Sequence, residues 1–151
     1  MVPVQITSIG DSAFYYCENL ASVTFDRDTA VSLGKGAFYR CEALTTINVP
    51  SKLTTKANSV DTAPFAGTKV LANITFEQSY TKAADNIKEI PAYMFAGIGG
   101  LATITIPNTV LTIGPNAFYG CKNLREAHVP ASVTKVMSGA FDSCDNSLAI
   151  H

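Results

Sequence analysis

Tryptophan is absent from the 151 residues, histidine occurs twice, and Asp, Glu, Lys and Arg together make up only 15%, against a usual share of about a quarter. The few charges nearly cancel, 11 basic against 12 acidic, for a net charge of −1. That balance offers no basic groove, so no nucleic-acid partner is expected. Long apolar runs are missing too. Residues 90–121 carry no charge, yet Pro91, Pro107 and Pro115 break them up, and a membrane span needs about 18 nearly continuous apolar residues. The first four residues lack the basic start and apolar core of a secretory leader; if the protein is exported, its leader lies outside this sequence. No Gly-x-Ser-x-Gly, phosphate-loop or Cys-x-x-Cys motif appears. With 47% hydrophobic residues the chain is also too apolar for disorder.

What the chain does have is repetition. Ala-Phe recurs at Ala13-Phe14, Ala37-Phe38, Ala117-Phe118 and Ala140-Phe141, with degenerate copies at Pro64-Phe65 and Met94-Phe95. The phenylalanines are 24, 27, 30, 23 and 23 residues apart. Three residues after Phe come Cys17, Cys41, Thr68, Ile98, Cys121 and Cys144; six after come Leu20, Leu44, Leu71, Leu101 and Leu124. Nine after come Val23, Ile47, Ile74, Ile104, Ala127 and Ile150, and five before come Ile9, Leu33, Val60, Ile90, Ile113 and Val136. Six units sharing these offsets define a repeat array.

Two periods alternate within a unit. Ala13, Phe14, Cys17 and Leu20 follow helical spacing, which predicts a helix of about two turns, capped by Asp11 or Ser12 in one copy and by Ser138 in another. Val23 and Phe25 alternate with Ser22 and Thr24, as a strand does. One such unit cannot bury its apolar residues alone, whereas stacked units share a continuous core. The expected fold is an α/β repeat: a right-handed solenoid of about six coils, with a parallel β-sheet on one face and short helices or turns on the other. Residues 1–151 form one such domain, expected to be a fragment of a longer array because neither end shows a polar cap. End-to-end association into a homo-oligomer is expected for the same reason.

The Phe-to-Cys interval and the segment Leu101-Ala-Thr-Ile-Thr-Ile-Pro-Asn-Thr-Val-Leu-Thr-Ile-Gly-Pro-Asn-Ala-Phe-Tyr-Gly-Cys-Lys-Asn-Leu124 resemble the BspA-like, Treponema-type leucine-rich repeat. The third and fourth units depart from it, lacking Cys and carrying longer spacers. The resemblance implies a leucine-rich-repeat solenoid from a bacterial or protozoal surface protein, often an adhesin for matrix proteins or other cells. It carries no catalytic residues. The implied function is a non-enzymatic protein-binding or adhesion module, cell-surface or secreted, whose partner is a protein or glycan on a host or neighbouring cell. A structural spacer is the alternative reading, and a thiol- or metal-dependent enzyme a third; no cofactor is expected.

The outward strand positions are the first candidate partner-binding residues: Ser22 and Thr24, Thr46 and Asn48, Asn73 and Thr75, Thr103 and Thr105, Glu126 and His128. They are expected to tile one exposed sheet face with small, mostly uncharged groups. The second candidate is the pair of insertions that lengthen the spacers, within residues 51–61 and 77–86. Both follow a strand and are expected at one rim of the sheet. Glu77, Tyr80, Lys82 and Asp85 give the later loop more recognition chemistry than the sheet has. The four cysteines share one repeat position and read as buried small hydrophobes. Stacking sets Cys17 beside Cys41 and Cys121 beside Cys144, within disulfide reach, so thiol and disulfide both remain open. His128 and His151 are expected to stack on neighbouring strands, and Gly97, Gly99 and Gly100 to mark a turn.

Overall fold

Each unit folds into a coil with two short strands, joined on the third side by the Ala-Phe segment. The computed structural model describes residues 1–3, 5–79 and 83–151, so Tyr80 and Lys82 lie outside the described residues. One set of strands is β1 (Ser8–Ile9), β3 (Ala30–Leu33), β5 (Lys52–Thr55), β7 (Glu89–Ile90), β9 (Thr112–Ile113) and β11 (Lys135–Val136). The other is β2 (Ser22–Val23), β4 (Thr46–Val49), β6 (Asn73–Phe76), β8 (Thr103–Thr105), β10 (Glu126–His128) and β12 (Ala149–Ile150). All pairings between these strands are parallel. The second set is the sheet the alternating pattern predicts. The first is built on the apolar residue five before Phe: Ile9 pairs with Leu33, and Ile90 with Ile113. Val60 departs from this rule. It lies in a short 3-10 turn, Val60–Thr62, and Leu33 pairs with Thr55 instead.

The expected two-turn helices are not there; among the described residues the only helical segments are two 3-10 turns, Val60–Thr62 and Ala83–Asp85. The Ala-Phe segment is a chain of i→i+3 turns. Tyr15 N donates to Ser12 O, Cys17 N to Phe14 O and Leu20 N to Cys17 O. Every left-handed residue among those described falls two before or two after the repeat Phe: Ser12 and Tyr16, Gly36 and Arg40, Gly67, Tyr93 and Gly97, Asn116 and Gly120, Gly139 and Ser143. This alternation aims every second N–H at the next coil. Ser12, Phe14 and Tyr16 donate to the carbonyls of Lys35, Ala37 and Tyr39, and Asn116, Phe118 and Gly120 to those of Ser138, Ala140 and Asp142. Two helical turns in isolation are marginal, whereas cross-coil bonds satisfy the same donors between neighbours. Ser12 therefore caps no helix, having φ 55°. Asp11 instead accepts from Lys35 N of the next coil at 2.8 Å.

Inside, one ladder of stacked rings runs the length of the array. Phe14 and Phe38 lie 5.1 Å apart, Phe38 and Phe65 5.3 Å, Phe95 and Phe118 5.4 Å, Phe118 and Phe141 5.2 Å. Such offset stacking is favourable beyond the area buried. The Phe65–Phe95 step is wider, 6.4 Å with a tilt of 19°. At that same step both sheets stop: β1-β3-β5 and β2-β4-β6 form one pair of three-stranded stacks, and β7-β9-β11 and β8-β10-β12 another. Phe76 turns edge-on to Phe95, 6.0 Å away at 85°. The core nonetheless remains one cluster across the step. No helix among the described residues is long and apolar enough to cross a membrane.

Candidate functional site

Strand alternation sends Val23, Ile47 and Ile104 inward and their neighbours out. Register then aligns the outward residues into rows. Ser22 sits beside Thr46 and Thr46 beside Asn73; Asn48 sits beside Thr75. In the other stack Thr103 sits beside Glu126 and Thr105 beside His128. Thr24 lies exposed just beyond β2. The expected continuous face is thus two tiles, because β6 and β8 do not pair. Asn73, Thr75, Thr103, Thr105 and Glu126 are exposed, on the two sides of the break.

Asn48 has a structural duty. Its Oδ1 accepts from Phe25 N at 2.6 Å while its Nδ2 donates to Phe25 O at 2.7 Å. The amide thereby continues the ladder past the end of β2, and Nδ2 also reaches Glu77 Oε1 at 3.4 Å. Glu77 faces Arg27 at 3.7 Å, and Asp85 binds Lys52 Nζ at 2.9 Å. Asn86 Oδ1 accepts from Ser79 N at 2.6 Å, closing the base of the loop. Of the loop candidates described, Glu77 and Asp85 both act as anchors. The insertions also leave from different corners. The later one follows β6, whereas the earlier one follows β5 and leads through the Val60–Thr62 turn into the Ala-Phe side. The expectation of one shared rim is corrected accordingly. It assumed one strand per coil; the second strand separates the two exits.

His128 and His151 stack at 5.2 Å, as adjacent parallel strands require, with Glu126 3.7 Å from His128 Nε2. Among the described residues no group of three or more His, Cys, Asp or Glu converges. The cysteines are free thiols. Cys41 Sγ donates to Phe14 O at 3.1 Å, Cys121 to Phe95 O at 3.1 Å and Cys144 to Phe118 O at 3.3 Å, each reaching the preceding coil. Burial pushes the Cys121 thiol up to about 12 and that of Cys144 to about 11. Such thiols are poor nucleophiles near neutral pH.

Pattern reading missed the outer Ala-Phe side. The residue after Phe reads Tyr15, Tyr39, Ala66, Ala96, Tyr119 and Asp142; the tyrosines reach the surface, whereas Ala66 and Ala96 are buried among Tyr39, Val60, Tyr93 and Tyr119. Tyr15 and Tyr39 stack at 5.3 Å, and Arg40 lies over Tyr16 and Tyr39 at 5.3 and 5.8 Å. Beyond Tyr39 a groove of about 480 Å³ opens over the glycines of the next coils. The signal was present in the sequence as a row of tyrosines interrupted by two alanines.

The fold is shared with solved structures. A leucine rich cell surface protein of Faecalibacterium prausnitzii matches with a TM-score of 0.67 and 27% identity, over 86% of this chain and 31% of that one. A leucine rich repeat protein of T. pallidum matches with a TM-score of 0.65 and 27% identity, over 86% of this chain and 57% of that one. A leucine-rich repeat protein of Bacteroides ovatus, 18% identical, shares the fold with a TM-score of 0.61 over 96% of this chain and 45% of that one. The chain thus spans less than two thirds of each. No curated protein matches. The model of the BspA type leucine rich repeat region matches in 6 copies over residues 1–87 and 88–151, so the chain belongs to the BspA-type leucine-rich-repeat family.

Proposed function

We propose that the chain is a non-enzymatic binding module of a bacterial surface or secreted protein, adhering to a protein on a host or neighbouring cell through its outward sheet rows. One observation carries this reading: parallel register holds Asn73, Thr75, Thr103 and Thr105, all exposed, on fixed strands while the apolar residues between them turn into one core. A rigid array of small polar groups favours a broad contact over a pocket, with each coil adding a little. Such a face has few aromatic or Arg anchors, so the expected affinity is modest and grows with the number of coils engaged. A surface location is supported by the 27% identity to the Faecalibacterium cell surface protein.

The test is a screen of the complete protein against immobilised matrix proteins, repeated with residues 77–86 replaced by a short Gly-Ser link. Binding that survives the replacement assigns recognition to the sheet rows. Binding lost with the loop moves recognition to that corner. No binding to any surface protein, with the array folded, favours the spacer reading instead.

A further inference from the structure

We propose that the break between β5 and β7 is a docking slot for an extended, uncharged peptide segment of a partner protein, added to β5 as a further strand. It lies on the first set of strands, away from the outward rows, and neither reading requires the other. At the regular steps of this sheet, the residue after the strand donates its N–H to the preceding coil. Gly34 donates to Ile9 O at 2.7 Å, Lys56 to Leu33 O at 2.9 Å, Gly114 to Ile90 O at 2.8 Å and Met137 to Ile113 O at 2.9 Å. In coil four the residue after β7 is Pro91, which has no N–H to give. Thr55 O, the acceptor it would have met, has no partner among the described residues.

The rest of this edge is open too. In a parallel ladder, alternate residues of a strand bond to opposite neighbours. Lys56 N bonds to Leu33 O, so the main chain of Lys52, Thr54 and Lys56 faces β3, and that of Leu53 and Thr55 faces away from it. Lys88 O and Ile90 O accept from Leu111 N and Gly114 N, so on β7 it is Glu89 that faces away from β9. No main-chain bond among the described residues joins the two edges. Between them lies a groove of about 330 Å³, lined by residues 51–54 and 84–89. That is at the lower end for a ligand site. At ~3.3 Å per residue, it suits a short stretch of strand along Leu53 to Thr55.

These features choose the occupant. Unpaired donors and acceptors of an extended main chain are complemented by another extended main chain. A proline-rich segment lacks the donors that Leu53 O and Thr55 O call for. The charges lining the slot cancel: Lys52 and Lys88 against Asp85 and Glu89, with Lys52 and Asp85 2.9 Å apart. A strongly acidic or basic segment therefore finds no field of one sign. The bound segment would lengthen the β1-β3-β5 stack by one strand, as β9 continues β7.

The probe is a synthetic peptide with the sequence of residues 109–114, flanked by one lysine and one glutamate so that it carries no net charge. In the array, Thr112 N and Gly114 N donate to Lys88 O and Ile90 O; on β5 the same two amides would meet Leu53 O and Thr55 O. Titrated into the folded protein and followed by NMR, it should bind saturably. Amide exchange at Leu53 and Thr55 should slow about tenfold or more. Exchange at Thr54, which faces β3, should stay as it was. A twin peptide N-methylated at those two amides should bind about tenfold more weakly or worse, having lost both donors. No binding of the plain peptide, equal binding of its twin, or protection confined to another part of the protein overturns the proposal. Protection of Leu53 and Thr55 that grows with protein concentration alone makes a second copy the occupant, and overturns it as well.

Discussion

At the scale of single residues, the stacked phenylalanines set stability unevenly along the array. Phe118 is fully buried between Phe95 and Phe141, so Phe118→Ala should cost about 3–5 kcal/mol. Phe14, 39% exposed in the first coil, should cost only about 1–2 kcal/mol when truncated. Urea unfolding of both variants measures the difference, and equal losses would contradict the shared ladder. The thiols bring a pH dependence. Burial holds the Cys121 and Cys144 thiols near 12 and 11, above the ordinary thiol value of 9.0. Above pH 9 the unfolded chain loses these protons while the folded chain keeps them, so the folded state binds more protons and stability falls as pH rises. The thiol contribution is intact below pH 9 and lost between 9 and about 11–12. The stability difference between wild type and Cys121→Ala, followed from pH 7 to 11, should therefore shrink as pH rises. The positions of these Phe and Cys residues were legible because burial leaves an apolar period. The left-handed conformations of Tyr16, Arg40 and Tyr93 were not, since no side-chain pattern records the sign of φ.

At the scale of elements, the strands and the Ala-Phe segment were legible to different degrees. Alternation at Val23 and Phe25 and at Ile47 and Val49 marked the second strand of each coil. The first was harder to see, because β1, β7, β9 and β11 are two residues long and each shows a single buried residue at most. Helical spacing misled at Ala13, Phe14 and Cys17 because a chain of i→i+3 turns also returns every third residue to one side. The junction of coils three and four rests on a close backbone approach at Gly100. A Cβ there would lie 2.7 Å from Leu71 N and 2.8 Å from Lys69 O. Gly100→Ala should therefore destabilise by about 1–3 kcal/mol or more, with early amide exchange at Gly67 and Gly99, whose amides bridge the two coils. A neutral substitution there would show that the coils lie further apart.

At the scale of the whole molecule, a single apolar core ties together two pairs of three-stranded stacks. The interruption falls where the spacer is longest, between Phe65 and Phe95, after the insertion that follows β6; the earlier insertion leaves from another corner, just before Phe65. The long spacers are visible in the sequence, but no single unit carries a pattern showing that β6 and β8 fail to pair. The outward rows hold ordered, exposed polar residues on either side of that break, and they are the surface proposed to meet the partner. The most direct test is the binding of the complete protein, carrying Thr75→Arg with Thr105→Arg, to the surface protein identified for the wild type. Both threonines are exposed and face away from the core, so the variant should melt like the wild type. Loss of binding by tenfold or more, equivalent to about 1.4 kcal/mol, is the result this account predicts, and unchanged affinity in the folded double variant would contradict it.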